Sequence, residues 1–156
     1  AAEHVADLAP PAVEDIVIEA NGGYRVTGPA PKLVFETPTI RGDEAGLLSL
    51  RFDCARKEAR LRVGWRASFE HGDEEAPPVT ALTGFGRVAI PLDASPRWLL
   101  AKRIHSISLG ILPAPGCRRF RIRDPALWQR RGARPVLEGR VTPEAPMLSW
   151  PDASQP

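Results

Sequence analysis

The residues in this chain best suited to chemistry are arginines set at every second position. They recur in Leu48-Ser49-Leu50-Arg51-Phe52-Asp53-Cys54, in Arg60-Leu61-Arg62-Val63-Gly64-Trp65-Arg66 and in Arg119-Phe120-Arg121-Ile122-Arg123. A guanidinium donates two parallel hydrogen bonds, so it suits carboxylates, phosphates and sugar hydroxyls. Alternation with period two sends the arginines to one face of a strand and the apolar residues to the other. Arg51, Arg62, Arg66 and Arg121 are therefore expected to share one exposed sheet face and to contact a ligand there. A solvated face, partly offset by Asp53 and Glu58, is the plainer alternative.

Aromatic residues add a second kind of contact, because the C–H-rich face of a pyranose packs on a π surface. Trp98 follows the turn Asp93-Ala94-Ser95-Pro96 and is a candidate at the rim of a site. Trp65 falls on an inward position and reads as core, while Trp128 and Trp150 read as covers for one end of the fold. Catalytic chemistry has no such support. His4, His71 and His105 are far apart in the chain, and no G-x-S-x-G, HExxH or Cys–His pattern is present. The acidic run Glu70 to Glu75 lacks the spaced carboxylates of a calcium loop and reads as a solvated loop. No catalytic residue, metal site or cofactor is assigned. A hydrolase would need two carboxylates facing each other across a cleft.

The arginines need strands to position them. The chain has 156 residues, 17 of them Pro and 13 Gly. That length suits one domain with a real core, and so many breakers favour short strands joined by turns. Eight or nine strand-like segments follow at intervals of about ten residues, a rhythm that fits an all-β, antiparallel β-sandwich with jelly-roll character. Residues 47–54 and 60–69 form the clearest pair, with a connection of hairpin length. Residues 118–124 make the last strand, and residues 126–131 are expected to form a helical turn. The domain layout is an N-terminal arm at 1–15, a sandwich at 16–131 and a Pro-rich tail at 132–156 that docks in part.

Charge and cysteines narrow the setting. The net charge is only +2, so a general nucleic-acid binder is not indicated. The distribution is uneven: residues 1–20 hold five acids and no Lys or Arg, whereas residues 118–134 hold seven Arg and one Asp. Arginine outnumbers lysine eighteen to three, a ratio that a GC-rich genome also produces. No apolar run approaches the ~20 residues that span a bilayer. The chain begins Ala1-Ala2-Glu3 without Met, which is consistent with a cleaved mature protein or a piece of a larger one. Cys54 ends one expected strand and Cys117 begins another. If those strands are antiparallel neighbours a disulfide is permitted; otherwise the two are buried thiols. A disulfide would favour a periplasmic or extracytoplasmic location.

The order of segments resembles the galactose-binding-like β-sandwich of many carbohydrate-binding modules. It is similar in particular to sandwich domains of bacterial cell-envelope polysaccharide proteins. The residues carrying this are Gly23-Tyr24, Leu33-Val34-Phe35, Gly46 to Leu50, Val63-Gly64-Trp65, Ile90-Pro91-Leu92, Trp98, Ile107 to Pro113 and Phe120-Arg121-Ile122. They span roughly residues 22–124. Where such domains often carry an Arg and an Asp before the last turn, this chain has Gly110 and Leu112. The resemblance implies this fold and a glycan-related setting, and names no ligand. With the arginine face, the expected function is a non-catalytic domain that binds a glycan or positions an enzyme in cell-envelope polysaccharide assembly. Its expected partner is a glycan or acidic polysaccharide, with a membrane-bound or periplasmic protein as a further partner and no nucleic acid. The alternative is a protein-interaction module, a secretion-system subunit or an extracytoplasmic sensor domain, docking through its arm and tail.

Overall fold

The structure, a computed structural model, describes residues 2–54, 59–75, 79–83, 86–112 and 117–130. The expected tail at 132–156 lies outside these residues. Twelve strands are found among them. They are β1 (Ala2–Asp7), β2 (Ala12–Glu14), β3 (Ile16–Ile18), β4 (Tyr24–Val26), β5 (Lys32–Ile40) and β6 (Leu47–Cys54), then β7 (Ala59–Phe69), β8 (Gly72–Glu75), β9 (Val79–Thr83), β10 (Gly86–Pro91), β11 (Arg103–Leu112) and β12 (Arg119–Arg130). One short helix, α1 (Pro96–Leu100), precedes β11.

The strands build two antiparallel sheets, so the all-β sandwich read from the alternation is what the chain forms. The first sheet runs β10-β6-β12-β4-β3, and β1 pairs with the far end of β12. The second runs β2-β5-β11-β7-β8, and β9 pairs with the other end of β7. In each sheet one long strand thus carries two short strands in tandem along one edge.

The pleat explains the layering. Leu48, Leu50 and Phe52 of β6 are buried while Arg51 between them is exposed. Leu61, Val63, Trp65 and Ala67 of β7 are buried, with Arg60, Arg62 and Arg66 outside. Ile107, Leu109 and Ile111 of β11 complete the opposing layer. Each fully buried side chain of this size stabilises the sandwich by about 1.5–3 kcal/mol.

Three expectations about the elements are corrected. The segment read as a mobile or docking arm docks over residues 2–14, where β1 pairs with β12 and β2 with β5. The alternation was faint there because β1 is held mainly by its backbone ladder, with Val5 and Leu8 packing on the core. The strands β6 and β7 are not a hairpin: they belong to opposite sheets. The expected acidic loop is itself a hairpin, β7 turning into β8. Residues 126–130 continue β12 as strand and do not form a helical turn. Pro125 reads as a strand stop in sequence, but a shift of register between Arg123 and Ala126 absorbs it, with Asp124 at φ 54°.

Two local devices place the functional face. Asp15, at φ 55°, lies where the chain leaves β2 in one sheet for β3 in the other. Its carboxylate accepts from Ala30 N at 2.9 Å and its carbonyl from Thr27 N at 2.8 Å. The turn signal Asn21-Gly22-Gly23 joins β3 to β4: Gly22 takes φ 86° and Gly23 N donates to Asn21 Oδ1 at 2.8 Å.

Candidate functional site

The four arginines expected on one face divide between two. Arg51 and Arg121 stand on the outside of the first sheet, Arg62 and Arg66 on the outside of the second. Alternation tells in from out on each strand but not which sheet the strand joins. Trp98 is also corrected: it is fully buried, edge-on to Trp65 at 5.3 Å, and its Nε1 donates to Ala45 O at 2.7 Å. It anchors α1 to the core and presents no surface to a ligand.

The first sheet gathers more than the sequence suggested. Arg51 is the direct cross-strand partner of Arg87 on β10 and of Arg123 on β12. Arg121 faces Asp53, and Arg119 faces Arg25. Arg87 was legible in principle, since it precedes Val88 and Ile90 in the alternation. Its place beside Arg51 follows from the register alone.

Of these, Asp53, Arg119, Arg121 and Arg123 line an open cleft of about 460 Å³ at one end of the sheet. Glu19, Asn21, Asp53, Arg119, Arg121 and Arg123 supply its polar lining. Glu19 Oε2 accepts from Arg119 Nε at 3.3 Å and pairs ionically with Arg25 Nε at 3.3 Å, so one carboxylate serves both arginines of that opposed pair. Arg121 Nη1 donates to Asn21 O at 3.1 Å, which ties it to the β3–β4 turn. Tyr24, stacked on Phe120 at 5.3 Å, backs the cleft, and burial pushes its hydroxyl above the usual phenol range. Cys54 also lines it and is bonded to Cys117, with Cα atoms 5.2 Å apart. The disulfide became possible because β6 and β12 are antiparallel neighbours, Cys54 lying opposite Phe120.

Further along the same face, Trp128 is half-buried and its Nε1 donates to Ser49 Oγ at 2.8 Å. His4 meets its ring edge-on at 5.1 Å.

The fold brings His105 to Ser68 on the second sheet, with Oγ and Nε2 2.6 Å apart. Asp73 lies there too, but it accepts from the Ser68 hydroxyl at 2.5 Å and stands 3.8 Å from the same His105 Nε2. A nucleophilic serine needs the histidine as its base and the carboxylate on the other ring nitrogen. Here the single hydroxyl proton goes to Asp73, so the group is a hydrogen-bonded cross-strand cluster and not an activated nucleophile. Among the described residues no group of His, Cys, Asp and Glu is arranged to hold a metal ion.

No protein-family model and no curated protein matches this chain in sequence. Among solved structures it is similar to the family 11 carbohydrate-binding module from Clostridium thermocellum, in complex with a β-1,3-1,4-mixed-linked tetrasaccharide. Identity there is 14%, over 81% of this chain and 86% of that one, with a TM-score of 0.46. It is also similar to TmCBM27, a carbohydrate-binding module described for specific mannan recognition. Identity is 11%, over 83% of this chain and 88% of that one, with a TM-score of 0.36.

Proposed function

We propose that this domain binds a glycan, without catalysis, through the outer face of the β10-β6-β12-β4-β3 sheet. The observation that carries this reading is the polar cleft at the end of that face. Guanidinium, carboxylate and carboxamide groups converge in it from two strands, β6 and β12, and the β3–β4 turn. Planar donors beside planar acceptors are what vicinal hydroxyls require, because each hydroxyl both donates and accepts. The half-buried indole of Trp128 on the same face offers an apolar surface for a sugar ring. A rigid sheet holds these groups, so little ordering cost falls on binding. The setting that suits the disulfide is an oxidising, extracytoplasmic compartment, where cell-envelope polysaccharides are assembled.

The test is affinity electrophoresis and calorimetry of the chain against a broad panel of neutral and acidic polysaccharides. Retardation by at least one, weakened by Asp53→Ala and by Arg121→Ala, is expected. A chain retarded by none of the panel overturns the reading.

A further inference from the structure

We infer that the glycan received by this face is polyanionic, its charged groups meeting the row Arg123–Arg51–Arg87 that leads from the cleft across the strands to β10. This rests on the glycan reading above and specifies its ligand. The face contains its own comparison. Arg25 and Arg119 oppose each other and share the carboxylate of Glu19. Arg51 is flanked on both sides by Arg123 and Arg87, yet among the described residues none of the three guanidinium groups makes an ion pair or hydrogen bond. Like charges set directly opposite work against sheet pairing. The Arg25–Arg119 pair has a carboxylate set between its guanidinium groups; the row of three has none and is open to anions from outside.

The geometry of the row suits a chain with one charge per sugar. Neighbouring strands are ~4.8 Å apart, so the three guanidinia are anchored over roughly 10 Å, in steps of one strand. Arg123 belongs to both the row and the cleft lining. A ligand can therefore seat hydroxyls among Glu19, Asn21 and Asp53 and run its anionic groups outward along the arginines. A nucleic acid fits less well. Glu19 and Asp53 oppose a phosphodiester in the cleft, and the row beside the arginines is Ala89–Ser49–Ala126, which carries no ring for an adjacent base.

The experiment uses two matched pairs of probes: polygalacturonate with its carboxyl-reduced form, and dextran sulfate with dextran. Calorimetry on the intact chain is expected to favour the charged member of at least one pair by about tenfold or more, with affinity falling as salt rises. The preferred pair tells carboxylate from sulfate. The triple variant Arg51→Gln, Arg87→Gln, Arg123→Gln is expected to lose that preference while melting no lower than the parent, since it removes like-charge repulsion. Arg87→Gln alone is expected to weaken long charged oligomers and spare a disaccharide that reaches only Arg123. Equal binding of charged and neutral members overturns the inference and leaves the glycan reading standing. So does single-stranded DNA bound as tightly as the best glycan. Binding of none of the four probes also overturns it, and the broad panel then decides the glycan reading separately.

Discussion

Arg130 Nη2 donates to Asp93 Oδ1 at 2.7 Å, tying the last residue of β12 to the 3-10 turn (Leu92–Ala94) that follows β10. This ion pair closes the end of the first sheet opposite the cleft. Gly46 completes the closure: its N donates to Trp128 O at 2.8 Å, its carbonyl accepts from Asp93 N at 3.1 Å, and a Cβ there would collide with the Asp93 carboxylate. Asp93 is 11% exposed and Arg130 27%, so water screens the pair only in part.

Removing one partner of such a pair leaves the other charge stranded. Arg130→Met is expected to cost about 1–3 kcal/mol, below the value for a fully buried pair because Arg130 is partly wet. Adding Asp93→Asn to it should recover part of the loss. Urea unfolding of the single and double variants checks this; a double variant less stable than Arg130→Met contradicts it.

Burial pushes the Asp93 carboxyl above its ordinary value of 3.8, and Arg130 pulls it back. A raised folded pKa means that this group's contribution to stability is complete below the ordinary value and is lost as pH rises through the raised one. Asp93→Asn should flatten the melting temperature against pH in that window. Arg130→Met, which removes the opposing charge, should move the loss to higher pH.

Asp73 shows the opposite sign. The hydroxyl of Ser68 holds its carboxyl below the usual range, with smaller help from His105 and Arg66. Its contribution to stability is present above the ordinary value and is lost as pH falls through the lowered one. Ser68→Ala should let the Asp73 pKa climb back toward 3.8, read from the carboxyl carbon shift in an NMR titration. An unmoved titration would remove Ser68 as the cause.

The Cys54–Cys117 bond closes a loop of 63 residues in sequence. On chain-entropy grounds its loss destabilises by about 4 kcal/mol. Cys54→Ser with Cys117→Ser should therefore unfold at markedly lower denaturant, and reductant should affect the parent but not the variant. Because Cys54 lines the cleft, glycan affinity should fall as well.

Trp98→Phe removes a buried hydrogen bond to Ala45 O and is expected to cost about 1–3 kcal/mol. Glycan binding should be unchanged, as it should be in Arg62→Gln with Arg66→Gln on the opposite sheet. Weaker binding by either variant at a temperature where it is folded would return those residues to the site.

Which parts of this were legible in sequence follows from the physics of a pleat. Period-two alternation is local, so it identified the strands β6, β7, β11 and the start of β12, their buried faces, and the outward direction of Arg51, Arg62, Arg66 and Arg121. The Asn21-Gly22-Gly23 turn was legible for the same reason, since a positive φ asks for glycine locally. Strands held mainly by backbone bonds, such as β1, leave little mark on side-chain type. The continuation of β12 past Pro125 needed a register shift that no local pattern encodes.

By itself, then, the sequence determined an all-β sandwich with arginines facing out and the chance of a disulfide. Only the tertiary structure decided which outward arginines are neighbours. That depends on strand order and register, set by long-range pairing between β6, β10 and β12 rather than by any segment's own residues. It took Arg62 and Arg66 to the far side, sank Trp98 into the core, and set Arg87 and Arg123 on either side of Arg51.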